Sequence, residues 1–271
     1  MSKSEIDPLA KTLRSTARTL LSPALRSEHR PNSHSLARAE ILLEQGYGLI
    51  VAFNHFSKRD PFQVLKEMFS NKTILGKQIV SPIALHQSNE SLIKIAASHG
   101  IRMHDIVTQD TLDTGKNRGL EKGEGLIEFT QDALDCLASG GIVMIPPQEG
   151  RRVALGPPER RTINTLLAQA KRRKIENIAV MTLGLGFANS SDYSKRGFNS
   201  FRQYTVGIGH TFKMEELLAA AGGSGKVDDF LYQELAINVP SDYLSPKLKV
   251  RDDPRAGGQR ASQEADSSKT F

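Results

Sequence analysis

Apolar positions along this chain switch between two periods, and the switching predicts the class of fold. Residues 8–27 place Leu9, Leu13, Ala17, Leu20 and Ala24 at helical spacing, with Lys11, Arg14 and Arg18 on a different face. The stretch from Glu28 to Ser35, which contains Arg30-Pro31-Asn32, reads as a linker or turn. Beyond it, helical patterns are expected over 35–45, 61–69, 88–97, 124–138, 162–174, 214–221 and 227–237. Between them lie strand-like runs at 46–53, 78–85, 101–107, 142–145, 178–185 and 202–208, while 108–123 reads as a polar loop. This alternation predicts an α/β protein: a mixed, largely parallel sheet flanked by helices, preceded by an N-terminal amphipathic helix. Sheets of this kind bind ligands beyond the carboxyl ends of their strands, so the residues just after each strand carry the functional interest.

The same pattern divides the chain into three parts. Residues 1–35 hold the amphipathic helix and linker, 36–248 the α/β domain, and 249–271 a tail poor in aliphatic residues that is expected to be disordered. The basic helix has two readings, a surface helix packed on the domain or one lying on an anionic membrane.

Composition narrows the picture. Hydrophobic residues make up 38% and charged residues 24%, which excludes a chain disordered throughout. No apolar run approaches the roughly 18 residues of a membrane span. The lone cysteine, Cys136, excludes an internal disulfide framework and a Cys-rich zinc site, and its setting, Leu134-Asp135-Cys136-Leu137, is that of a core residue. Acidic residues in the first thirty positions and the lack of a continuous apolar segment there argue against a secretory leader, so an intracellular protein is expected. The net charge of +6 favours an anionic partner: nucleic acid, phospholipid headgroups, coenzyme A or an acidic carrier protein. Five Tyr, no Trp and no recognition motif give nucleic acid little support.

Two segments carry candidate chemistry. The run Gly48-Leu-Ile-Val-Ala-Phe53 leads straight into Asn54-His55-Phe56-Ser57-Lys58-Arg59-Asp60-Pro61. A histidine at a strand's carboxyl end, five positions before an aspartate, suits a general base and the carboxylate that orients it. Seven His and fourteen Asp in 271 residues give about 0.4 such pairs by chance, so spacing alone decides little. Asp before Pro is also a common start to a helix. On a continuous helix the two side chains would lie about 140° apart, so the pair forms only if 55–60 is a turn. The second segment is Ser139-Gly140-Gly141-Ile142-Val143-Met144-Ile145-Pro146-Pro147-Gln148-Glu149-Gly150-Arg151-Arg152. Two guanidiniums after a strand suit a phosphate, and Glu149 suits an arginine or a substrate hydroxyl; a solvated charged loop is the plain alternative.

Together these segments resemble the glycerolipid acyltransferase family, the glycerol-phosphate and lysophosphatidate acyltransferases, over about residues 36–210. Asn54-His55, Ser57 and Asp60 match the N-H-x-S-x-x-D block with its H-x4-D pair. Gly140-Gly141 and Gln148-Glu149-Gly150-Arg151-Arg152 echo the G-G … P-E-G-T-R block, with Pro147 one position early and Arg151 in place of threonine. The intervening arginine block is met only by Arg102, out of register, and the late strand lacks its proline. The resemblance implies an acyltransferase in which His55 activates an acceptor hydroxyl and Asp60 holds His55. Ser57, Arg102, Glu149, Gly150, Arg151 and Arg152 would then bind substrate. It implies acyl-CoA or acyl-carrier protein as co-substrate and a glycerol-phosphate or lipid acceptor, without metal or other cofactor. It also turns the N-terminal helix toward an anionic membrane surface, so that the protein would be cytoplasmic and peripherally membrane-associated.

Overall fold

A computed structural model of the chain describes residues 27–30, 33–56, 60–69, 76–88, 90–98, 100–148, 154–158, 160–187, 204–240 and 243–245. Among the described residues there are seven strands: β1 (Ser27–Arg30), β2 (Gly48–Phe53), β3 (Ile79–Ala84), β4 (Ile101–Ile106), β5 (Ile142–Ile145), β6 (Ile178–Phe187) and β7 (Tyr204–Lys213). The helices are α1 (Ser33–Glu44), α2 (Asp60–Phe69), α3 (Glu90–Ser98), α4 (Gln109–Asp113), α5 (Leu126–Ala138), α6 (Thr162–Arg172), α7 (Met214–Ala221) and α8 (Val227–Asn238). The strands form one sheet in the order β1-β7-β6-β2-β5-β3-β4. Strands β4, β3, β5, β2 and β6 run parallel, β7 is antiparallel to β6, and β1 is parallel to β7.

A parallel sheet covered on both faces demands strands that are apolar on both sides. β2 and β5 meet this demand, being buried at every position. Leu49, Val51 and Phe53 share a buried cluster with Ala39, Leu42 and Leu43 of α1, Val64 of α2 and Ala96 of α3. Ile50 and Ala52, pointing the other way, join Phe129, Ala133, Leu134 and Leu137 of α5 and Ile163, Leu166, Leu167 and Ala170 of α6. Gly48 is required where α5 ends against β2, because a Cβ there would stand 2.4 Å from the Leu137 carbonyl oxygen. Gly140, at φ +72°, then turns the chain out of α5 toward β5. Among the described residues, no helix is long and apolar enough to cross a membrane.

The expected mixed α/β architecture is present, with three local corrections. Ser27, expected to end the first helix, and Glu28–Arg30, expected in a linker, form β1 and pair with the backbone of β7 from Tyr204 to Gly207. The expected loop 108–123 contains α4, opened by a capping box between Thr108 and Thr111. β6 and β7 each run further than expected, to Phe187 and Lys213. The N-terminal helix at 8–27, up to residue 26, and the tail after 249 lie outside the described residues.

One distant contact holds two helices together. The carboxylate of Asp228, at the start of α8, accepts from the Ile163 and Asn164 amides of α6, each at 3.0 Å. Burial pushes this carboxyl above its ordinary value, against the two amide hydrogen bonds that pull it down. Asp228→Ala removes the acceptor for two N–H groups at a helix start and is expected to cost about 1–3 kcal/mol. Urea unfolding measures this; an unchanged midpoint would remove Asp228 from the account of the α6–α8 contact.

Candidate active site

The site forms where β2, β5 and β6 end. The first residue beyond β2, Asn54, is fully buried and continues the sheet with its side chain. Its Nδ2 donates to the Leu185 carbonyl at 2.7 Å, and the Leu185 amide donates to its Oδ1 at 2.6 Å. This pairing fixes the direction in which His55 leaves the sheet. The His55 amide donates to Gln148 Oε1 at 2.8 Å, which ties the end of β2 to the end of β5. Phe56 stacks on Tyr243, with ring centroids 4.8 Å apart.

Asp60 begins α2, yet its carboxylate turns back toward the strand. Oδ2 accepts from the Phe56 amide at 2.5 Å and faces His55 Nδ1 at 3.3 Å. Oδ1 accepts from the hydroxyl of Tyr204, on β7 two strands away from β2, at 3.1 Å. Asp60 is 1% exposed, and the His55 side chain 14%. A buried carboxylate beside Nδ1 favours the imidazole tautomer protonated there and leaves the lone pair on Nε2. The separation is at the long end for a hydrogen bond, as is common before a substrate tightens such a pair. A partly exposed imidazole held by a buried carboxylate at a sheet's carboxyl edge has the geometry of a general base with its orienting group.

The other residues expected at the site divide into two groups. Ser57, Glu149, Gly150, Arg151 and Arg152 lie outside the described residues. Arg102 is placed elsewhere. It stands level with Ile50 through the pairings Ile50↔Val143, Val143↔Val80 and Val80↔Arg102. Three strand spacings across and five residues along put it roughly 20 Å from His55, too far for its side chain to span. Its guanidinium instead meets Asp132 at 2.6 Å, and His104 Nε2 meets the other oxygen of the same carboxylate at 2.7 Å. Arg102 thus stands away from His55, with its guanidinium held by Asp132. Among the described residues, no three His, Cys, Asp or Glu side chains gather as a metal-binding group.

Sequence reasoning missed Tyr204, Gln148 and Asn54 as parts of the site. Asn54 and Gln148 stood inside the two motif segments, but only their partners across the sheet reveal what they do. Tyr204 carried no signal by spacing, being 144 residues from Asp60.

Cys136 is buried in α5, with Sγ directed at the Gln78 and Ile142 carbonyls. Burial, partly offset by the charge of Arg102, pushes its thiol from an ordinary 9.0 up to about 12. The unfolded thiol ionises first. The stability this thiol contributes is thus complete below pH 9 and is lost as pH rises toward 12. Native protein at pH 8 is expected to resist iodoacetamide and to react once unfolded. Rapid labelling of the native state would contradict this placement.

No protein-family model matches this chain, and no curated protein matches it. Among solved structures, it is similar to the crystal structure of the 1-acyl-sn-glycerophosphate (LPA) acyltransferase PlsC from Thermotoga maritima. The two chains are 10% identical, the match covers 84% of this chain and 78% of that one, and the TM-score is 0.45.

Proposed function

We propose that this protein is an acyltransferase that moves a fatty acyl group from a thioester to the hydroxyl of a lipid or glycerol-phosphate acceptor. The observation that carries this reading is the pairing of His55 with buried Asp60 at the carboxyl edge of the sheet, inside an N-H-x-S-x-x-D segment.

The chemistry follows from the pair. The acceptor hydroxyl gives its proton to His55 Nε2 as its oxygen attacks the thioester carbonyl carbon. The carbonyl π electrons move onto oxygen, and Asp60 stabilises the imidazolium that forms. When the tetrahedral intermediate collapses, the C–S bond breaks and the imidazolium proton passes to the departing sulfur. The products are an ester and a free thiol. Cys136 takes no part, since its thiol is buried and protonated.

The donor would be acyl-CoA or acyl-carrier protein, and the acceptor glycerol-3-phosphate, lysophosphatidate or a related lipid. Ser57, Glu149, Gly150, Arg151 and Arg152 are proposed to hold the acceptor headgroup. Two bracketing contacts support this. Gln148 meets the His55 amide, and Leu155 pairs with Tyr243 and Ser245 beside the ring that stacks on Phe56. The described residues on either side of the two arginines thus contact His55 and the surroundings of Phe56. The alternatives to test are the same fold acting on a non-glycerolipid acceptor, such as an amino-acid lipid, and a non-catalytic peripheral lipid-binding protein. Contact with an anionic membrane through residues 1–30 belongs to the same proposal.

Thiol release from acyl-CoA and acyl-carrier protein, measured over a panel of phosphate-bearing and phosphate-free acceptors, tests the reading. Acceptor-dependent release is expected. Release without any acceptor would make the protein a thioesterase, and no release with any pair would remove the catalytic reading.

A further inference from the structure

The reading above makes His55 the base, and on that reading we propose that Tyr204 is a positioning residue that sets the basicity of His55 through Asp60. The Asp60 carboxylate divides its two oxygens. Oδ2 serves the Phe56 amide and His55 Nδ1, while Oδ1 accepts the Tyr204 hydroxyl at 3.1 Å. Tyr204 is 1% exposed, and its backbone is held on both sides. It pairs with Ser27 of β1 and with Phe187 of β6, so the phenol arrives from a fixed base. The antiparallel strand thereby reaches the general-base pair from a part of the chain that neither motif segment contains.

The role follows from the charge on the carboxylate. A phenol O–H bonded to a buried carboxylate stabilises its negative charge and draws density toward Oδ1. Without that donor, more charge stands on Oδ2, opposite His55 Nδ1, and the imidazolium is held more firmly. Among the described residues, Tyr204 from β7 is a titratable group that bonds the Asp60 carboxylate directly. Gln148, from the end of β5, is neutral and meets the His55 amide.

The experiment follows His55 directly by NMR titration of histidine Cε1, with the resonance assigned by its loss in His55→Gln. In Tyr204→Phe, the His55 midpoint is expected to rise by about half a pH unit to one pH unit. The acidic limb of kcat/KM should move upward by the same amount. With 3-fluorotyrosine at position 204, a stronger donor of nearly the same shape, both should move downward. A purely structural tyrosine would lower the unfolding midpoint in Tyr204→Phe and leave both titrations where they were, and that result overturns the proposal. Should the Phe variant fail to fold, the fluorotyrosine protein decides alone. The titration needs no turnover, so the two readings fail separately. A shifted His55 without acyl transfer to any acceptor removes the enzymatic reading and keeps the coupling. Acyl transfer with an unmoved His55 does the reverse.

Discussion

His55→Ala is expected to lower kcat/KM for acyl transfer by about 10²–10⁴-fold while the protein stays folded. The two halves of that expectation have different causes. The imidazole supplies the only lone pair that the Asp60 contact orients, so its loss leaves the acceptor hydroxyl at its ordinary acidity. The fold depends little on this ring. What ties residue 55 to the sheet is its backbone amide, which donates to Gln148 whatever the side chain is. Steady-state kinetics of wild type and variant, with circular dichroism of both, check the prediction. A variant that retains more than about a tenth of the wild-type kcat/KM would take His55 out of the base role.

Asp60→Asn is expected to damage both activity and stability. The carboxylate accepts from three donors at once: the Phe56 amide, the Tyr204 hydroxyl and His55 Nδ1. An amide of the same shape offers one acceptor oxygen and turns an NH₂ group toward donors. Each buried donor left without an acceptor costs about 1–3 kcal/mol. The missing charge also removes the preference for the Nδ1–H tautomer, and a fall of about 10²–10⁴-fold in kcat is expected. Thermal unfolding and kinetics measured together make the prediction specific. A large loss of activity with an unchanged unfolding midpoint would mean that Asp60 is not the shared acceptor described here. An unchanged kcat would contradict its role beside His55.

How far the sequence leads to this site depends on how local each contact is. The contact between His55 and Asp60 was legible because the two lie five residues apart between the end of one strand and the start of the next helix, where the 140° argument excludes a continuous helix. The same passage offered Asp60 as an ordinary helix start, and only the fold shows its carboxylate turned back to the Phe56 amide. The sheet was legible from its buried runs, such as Gly48–Phe53 and Ile142–Ile145, which answer to a covering on both faces. β1 was not, because Ser27-Glu28-His29-Arg30 has no apolar alternation, and its place in the sheet is seen only in its backbone pairing with β7. α4 did have a signal, the Thr108 to Thr111 capping box, that the polar character of 108–123 obscured.

Arg102 and Tyr204 mark the limit of motif reasoning in opposite ways. Arg102 stood near the expected place in the sequence order, but three strand spacings and a level far below the carboxyl edge separate it from His55. Its charge is used by Asp132. Tyr204 stood outside every motif segment, and the antiparallel pairing of β7 with β6 brings it to Asp60. Register and strand order decide both cases, and neither quantity is written in a local pattern.

The central claim is direct transfer of an acyl group from thioester to acceptor hydroxyl, with His55 as base and no acylated protein between. A single-turnover reaction with an isotope-labelled acyl donor tests it most directly, followed by mass spectrometry of both the acceptor and the intact protein. Labelled ester on the acceptor and an unchanged protein mass throughout are predicted, with product and thiol release slowed about 10²–10⁴-fold in His55→Ala. Label that accumulates on the protein, or ester formed at the wild-type rate by His55→Ala, would contradict it.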